Sequence, residues 1–411
     1  MSAPAQAVAE MQGLYGPFSF PEKLLQKIWL RGDFERAAAV TTDGRQVRVM
    51  HPGKWNLLGG PDFRGARLRL GDGPELSGDI ELHLRAADWV AHAHAQDRNY
   101  DGVVLHVVLF PPEAGYVTRA ASGAAIPVLA LLPLLHHDLE EFAAEEAVER
   151  LAGRPAAEIL EALAGLGETE LAALLGAHAA ARWRQKVHFA RLRVTRLGWD
   201  AACHHAALEI LGYRFNRAPM LQVAGRWPLG EWARARVVPE EIFSAEGLAW
   251  SLQGVRPSNH PRGRLRQYAA WTQARPDWPS RLAGVADRFT AEVEPAPRLA
   301  GGTRSVRHAH GFTARRARLV EEICDEAVGG TRVDNLVCDG FLPLLAARSV
   351  PVGGEAGPLA GWWYHWFPGD VPPFVVRGLR ELGVFAGPGR PAAHGAVQGL
   401  LGWLLEREAR R

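Results

Sequence analysis

The amino-acid sequence predicts an α/β N-terminal domain followed by a mainly α-helical region. Hydrophobic periodicity over residues 1–135 switches in the order helix, strand, strand, strand, helix, strand, the pattern of a sheet with helices packed against it. From His136 onward Ala, Leu and Glu recur at helical spacing between Gly-rich breaks, and no comparable strand alternation returns. At roughly 150 residues per domain, 411 residues suit two or three domains. The predicted division is 1–135 for the α/β domain, 136–295 for a helical, basic domain and 296–411 for a mainly helical C-terminal region. The second boundary falls in the stretch from Pro295-Ala-Pro297 to Gly302.

Pro21 opens the first helix, in which Leu24, Leu25, Ile28 and Trp29 form one apolar stripe and Glu22 occupies the first turn. Val40 to Met50 carries a Thr-Asp43-Gly44 turn and then the alternating Gln-Val-Arg-Val-Met of a half-buried strand. After Gly59-Gly60-Pro61-Asp62 comes the alternation Ala66-Arg-Leu-Arg-Leu70, a turn through Gly71 to Pro74, and a third strand from Gly78 to Leu84. In that strand Ile80, Leu82 and Leu84 face one way, and Asp79, Glu81 and His83 the other. Asp88 is placed to cap a helix from Trp89 to about Arg98. Val103 to Phe110 is apolar almost throughout, as a strand covered on both faces is, and Ile126 to Leu132 supplies a further strand. Helices are predicted over Asp138–Leu151, Pro155–Leu166 and Thr169–Arg193.

Hydrophobic residues at 47% and charged residues at 22% exclude a wholly disordered, collagenous or coiled-coil chain. Cys203, Cys324 and Cys338 form no CxxC pair, so neither a disulfide framework nor a cysteine-built zinc site is expected. The first twenty residues lack a long apolar run, and the uncharged stretch Ala120–Leu135 is broken by Pro127 and Pro133. No signal peptide, no membrane span and a cytoplasmic location are therefore the expectation. P-loop, Rossmann, nucleophile-elbow and HExxH patterns are absent.

The net charge of +2 conceals a strong asymmetry. Residues 136–181 carry 2 basic and 10 acidic side chains, whereas 182–320 carry 24 basic and 10 acidic. The second excess suggests a surface for a polyanion, nucleic acid first, or else a solvated face in an arginine-rich chain with 4 Lys and 43 Arg. Within it, the loop Arg256-Pro257-Ser-Asn259-His-Pro261-Arg262-Gly-Arg264 offers guanidinium groups suited to bidentate phosphate contacts, with Arg256, Asn259, Arg262 and Arg264 as candidates. A structural tie between helices is the alternative. The basic run Arg182-Trp-Arg184-Gln-Lys186 either contacts phosphate or pairs with the acidic segment before it. The aromatic run 362–367 reads as core more readily than as a base-stacking platform.

The chemistry-bearing residues lie in the first domain. Asp62 enters the second strand, and Glu81 and His83 project from one face of its neighbour, so two carboxylates from adjacent strands can share a hard cation such as Mg²⁺ or Mn²⁺. A water on that cation is acidified and can attack a phosphodiester, while the cation offsets charge growing on phosphate oxygens. Pro61-Asp62 and Glu81-Leu82-His83, with this order of elements, resemble the PD-(D/E)XK nuclease superfamily. The resemblance implies a restriction-endonuclease-like αβββαβ core and a metal-dependent nuclease acting on DNA or RNA. It also implies Asp62 and Glu81 as metal ligands, and Glu22 as a first-helix acidic residue of the site. His83 departs from the pattern by standing at the lysine position, where it can act as base, donor or ligand. The alternative is a non-catalytic nucleic-acid- or protein-binding module retaining the fold.

A broader resemblance covers most of the chain. Pro61-Asp62-Phe, Gly78-Asp-Ile-Glu81-Leu-His83, Asp88-Trp89, His92-Ala-His94, Asp97, Tyr100 and Leu105-His106, echoed by Leu211-Gly-Tyr213-Arg-Phe-Asn216 and Gly254-Val-Arg256-Pro257-Ser-Asn259, are similar to an uncharacterised bacterial family, domain of unknown function 2851. His83, His92, His94 and His106 also raise a competing zinc-type site. On a regular helix His92 and His94 point about 200° apart, so such a site requires an irregular segment. His106 reads as a core histidine and Asp88 as a cap.

Overall fold

A computed structural model describes residues 8–13, 16–113, 115–152, 160–253, 255–289, 302–349, 359–389 and 391–409. The chain forms two compact units, Met1–Ala143 with Ser244–Trp250, and Ala144–Phe243 with Ser251–Arg411. The first boundary therefore falls beyond the predicted residue 135. The predicted boundary at 295/296 lies outside the described residues, and the helices on either side of it belong to one unit.

The first unit begins with an antiparallel hairpin, β1 (Val8–Gly13) and β2 (Gly16–Pro21), which the sequence pattern did not suggest. Helix α1 (Glu22–Arg31) follows, stopped by Gly32 in the left-handed region at φ 64°, where its N–H reaches the Ile28 and Trp29 carbonyls. The main sheet contains β3 (Val47–His51), β4 (Lys54–Trp55), β5 (Phe63–Leu70), β6 (Glu75–His83), β7 (Val103–Val108) and β10 (Val128–Ala130). Its order is β10-β7-β6-β5-β3, with β4 paired to β5. Strand β5 is antiparallel to its neighbours β3 and β6, whereas β7 runs parallel to β6 and β10 parallel to β7. A two-stranded piece, β8 (Thr118–Arg119) with β9 (Ala125–Ile126), stands apart.

Leu24, Leu25, Ile28 and Trp29 of α1 join Ile80, Leu82, Leu105 and Val107 in one buried cluster on one side of the sheet. Each apolar residue of β6 and β7 that faces this core sends its sequence neighbour to the opposite side, so the pleat delivers Glu81, His83 and His106 there together. Gly78 permits the close approach of β6 and β7: a Cβ there would lie 2.3 Å from Val104 Cγ1 and 2.8 Å from the Gly102 carbonyl. The predicted helix Trp89–Arg98 is instead a single turn, α2 (Asp88–Ala91), continued by short 3-10 turns at His94–Gln96 and Arg98–Tyr100. Ala93, at φ 61° and ψ 20°, breaks it.

The second unit is helical. Its helices include α3 (Glu168–Leu197), α4 (Trp199–Arg226) and α5 (Pro261–Ala274). Helix α4 contains Tyr213 at φ 57° and a proline, Pro219. Of the predicted helix Pro155–Leu166, residues 155–159 lie outside those described, and 161–165 form turns. Trp362, Trp363 and Trp366 are fully buried, so the aromatic run is core. No helix among the described residues is long and apolar enough to cross a membrane.

Candidate metal centre

Asp62 is set by the loop leading into β5. Asn56 fixes that loop by donating its backbone N–H to the Asp62 carbonyl at 2.7 Å and its Nδ2 to the Pro61 carbonyl at 2.9 Å. Asp62 and Glu81 then clasp each other's strands. The Asp62 backbone N–H donates to Glu81 Oε2 at 2.9 Å, and the Leu82 N–H donates to Asp62 Oδ2 at 3.1 Å. Gln26, one turn after Glu22 on α1, donates to Asp62 Oδ1 at 2.7 Å and accepts from Trp55 Nε1 at 3.1 Å. Glu22 Oε1 is buried without a hydrogen-bond partner among the described residues.

Asp62, Glu81, His83 and Glu22 are thus neighbours, as their predicted strand pairing requires. The surroundings differ from the open cleft this pairing suggests: Glu22, Glu81 and His83 are 7%, 5% and 1% exposed, and only Asp62 and His92 are half-buried. Burial, followed by the mutual repulsion of the carboxyl groups, pushes Glu22 and Asp62 up to about 8 from their ordinary values of 4.5 and 3.8. Burial does the same to Glu81, also to about 8. Among the described residues no arginine or lysine pairs with any of the three. Carboxyl oxygens are the donor type a hard divalent cation takes, and Glu22 Oε1 has no other partner, but the group whose ligand atoms all lie within 4.8 Å of one another is His83, His92 and His94 and does not include the three carboxyls.

Four imidazoles adjoin the carboxyls. His83 Nε2 lies 3.2 Å from His92 Nδ1 and 3.6 Å from Glu81 Oε1, and His94 Nε2 lies 3.2 Å from Glu81 Oε1. On its other side His83 Nδ1 is 2.9 Å from His106 Nε2, and His106 Nδ1 is 2.8 Å from Thr118 Oγ1. His106 is therefore buried as expected of a core histidine but is also joined to the site. Trp89 packs edge-on against His83 and His94, and the Tyr100 ring stacks on His94 at 3.8 Å between centroids. Burial lowers His83 and His94 below the ordinary 6.5 and takes His106 to about 3, so these imidazoles are neutral at pH 7. Ala93 is what brings His92 and His94 to the same side. Its left-handed backbone costs a non-glycine residue about 1–2 kcal/mol, strain of the kind that collects at functional sites. Asp88, expected as a helix cap, accepts from the Arg85 N–H through Oδ2 at 2.8 Å.

The basic loop of the second unit separates into two kinds of residue. Arg256 and Arg262 are exposed, Arg262 lying over the Phe243 ring at 4.5 Å. Arg264, expected to reach phosphate, is instead buried on the inner face of α5. Its Nη1 donates to Gln267 Oε1 at 2.6 Å and its Nη2 to Asn259 Oδ1 at 2.7 Å. Arg264 and Asn259 form the internal tie that was the alternative reading. On α3, Lys186 pairs with Asp339 at 2.7 Å and Arg193 with Glu209 at 2.7 Å, carboxylates outside the acidic 136–181 segment.

Fold and site together define a mixed α/β protein with a buried centre of carboxyls and imidazoles in its first unit. The chain belongs to a family of proteins of unknown function, DUF2851, whose model matches residues 22–248. That span holds every residue of the centre and stops short of Arg256. No curated protein and no solved structure gives a match.

Sequence reasoning missed Gln26, Asn56 and Thr118. Gln26 carried a usable sign, a polar residue at i+4 from Glu22 on an otherwise apolar stripe. Asn56 and Thr118 carried none.

Proposed function

We propose that this chain is a metal-dependent phosphodiesterase of the nuclease type, built on a restriction-endonuclease-like core. The observation that carries the reading is the clasp of half-buried Asp62 and buried Glu81 beside buried Glu22, three carboxyls without a basic partner among the described residues. Supporting it is the arrangement α1, β3, β5, β6, α2, β7, with the first three strands antiparallel and the last parallel to β6. Asp62 and Glu81 would hold Mg²⁺ or Mn²⁺, with Glu22 the third oxygen donor. When bound, such an ion acidifies a water and offsets charge growing on a phosphodiester. Gln26 holds the Asp62 carboxyl in orientation, and the backbone N–H groups of Asp62 and Leu82 aim both carboxyls and offset part of the burial that raises them. His83, with both ring nitrogens engaged, is not a free cation toward phosphate, so the lysine role is not reproduced in kind. The exposed Arg256 and Arg262 are the members of the basic loop that remain suited to nucleic-acid phosphates.

The test is cleavage of a panel of single-stranded, duplex and branched DNA and RNA with Mg²⁺ or Mn²⁺. Asp62→Asn and Glu81→Gln are expected to lower kcat at least about 100-fold while leaving nucleic-acid affinity within a few-fold. Wild-type protein that binds these substrates yet cleaves none would replace the enzyme by the non-catalytic module.

A further inference from the structure

The histidines carry something the carboxyl trio does not require. We propose that His83 Nε2, His92 Nδ1, His94 Nε2 and Glu81 Oε1 form a second, nitrogen-rich site that binds Zn²⁺ or a like transition-metal ion in tetrahedral geometry. A tetrahedral zinc with ligand bonds of about 2.0–2.1 Å has ligand–ligand edges of roughly 3.3–3.4 Å. Three of the edges here measure 3.2 Å (His83–His92), 3.2 Å (His94–Glu81) and 3.6 Å (His83–Glu81). The ligating atoms of the three histidines all lie within 4.8 Å of one another. The three histidines form the group that converges, and Glu81 Oε1, near His83 and His94 but outside that group, joins them as fourth donor only after a side-chain movement.

Two further features single out a built site rather than a chance cluster of rings. Ala93 adopts a backbone conformation unfavourable to alanine, and its consequence is that His92 and His94 converge instead of diverging as on a helix. Behind His83 runs a relay to His106 and on to Thr118 Oγ1. With Thr118 accepting from His106 Nδ1–H, His106 Nε2 accepts from His83 Nδ1–H and leaves the His83 Nε2 lone pair facing the other three donors. Relays of this form fix the tautomer of a metal-ligating histidine. Three imidazoles with one carboxylate favour zinc over Mg²⁺ or Ca²⁺, which take oxygen. His92 is half-buried and gives the site its side toward solvent. Glu81 divides its oxygens, Oε2 facing the Asp62 strand and Oε1 the histidines, so this site adjoins the oxygen site and does not need it to be catalytic.

The experiment uses the full chain, stripped with a chelator and titrated with Co²⁺ as the spectroscopic probe. The expected result is one equivalent bound with the intense visible absorption of four-coordinate cobalt, bleached by Zn²⁺. His92→Ala and His94→Ala, at positions toward the surface of the cluster, should lose that absorption and weaken Co²⁺ at least about 100-fold. Asp62→Asn, which leaves all four donors in place, should retain it. A weak six-coordinate spectrum in the wild type, or a four-coordinate spectrum surviving in the His92→Ala/His94→Ala double variant, overturns the site. Cobalt absorption without any nuclease activity leaves the site standing and removes the hydrolytic reading. Mg²⁺-dependent cleavage with no four-coordinate cobalt does the reverse.

Discussion

Buried charge is handled in opposite ways by the two units. In the helical unit, buried or half-buried acids meet bases: Lys186 with Asp339, Arg193 with Glu209 and Arg316 with Asp334, each at 2.7 Å, although burial still raises Asp334 above 3.8. Burial alone would raise the Asp339 carboxyl, but Lys186 and His394 outweigh it and hold it well below the usual carboxylate range. In the α/β unit Glu22, Asp62 and Glu81 are buried with neutral imidazoles for neighbours and rise instead. A fold that pairs acids with bases elsewhere leaves three here without a basic partner, held by protons when no ion is present, and the proposed function has a cation displace those protons.

The largest effect that sharpens this comparison concerns the arginines. Arg264→Ala removes two charged hydrogen bonds, leaving Gln267 Oε1 without this donor and Asn259 Oδ1 with only the 3.5 Å contact from Arg332, so it should cost about 2–4 kcal/mol in urea unfolding. Arg262→Ala, losing only an exposed contact with Phe243, should cost less than about 1 kcal/mol. Equal costs would dissolve the distinction between internal tie and available surface.

A second prediction uses pH. The raised carboxyls make the ion-free fold bind more protons than the unfolded chain. Their contribution to stability is full below their ordinary values of 4.5 and 3.8 and is lost as pH rises toward about 8. A divalent ion bound by these carboxyls would displace those protons. Mn²⁺ at one fixed concentration, about 100 times its Kd at pH 8.5, should therefore raise Tm by about 5–10 °C at pH 8.5 and by less than half of that at pH 6, where protons weaken its binding. A shift independent of pH would place the ion elsewhere.

Much of the first unit was legible because its physics is local. The α1 stripe and the alternation of Ile80, Leu82 and Leu84 with Glu81 and His83 are sequence patterns, and both elements appear where periodicity puts them. The α2 helix was overextended because nothing in Ala-His92-Ala-His94-Ala announces that Ala93 takes the left-handed backbone. The proximity of His106 to His83 depends on the parallel register that sets Glu81 opposite His106, a pairing of strands far apart in sequence. Arg264 was misjudged because a charge in a basic run looks solvated, whereas its phase on α5 places it beside buried Leu265 and Tyr268. The roles of Gln26 and Asn56 depend on α1 and the 56–62 loop meeting at Asp62, a contact fixed only by packing.

Calorimetric titration of Mn²⁺ into the chelator-treated full chain at pH 8 addresses the carboxyl centre most directly. Binding with release of protons is expected in the wild type, and a loss of affinity of at least about 100-fold is expected in Asp62→Asn and in Glu22→Gln/Glu81→Gln. Undiminished binding in these variants, or no binding in the wild type, would contradict the account of three buried acids awaiting a cation.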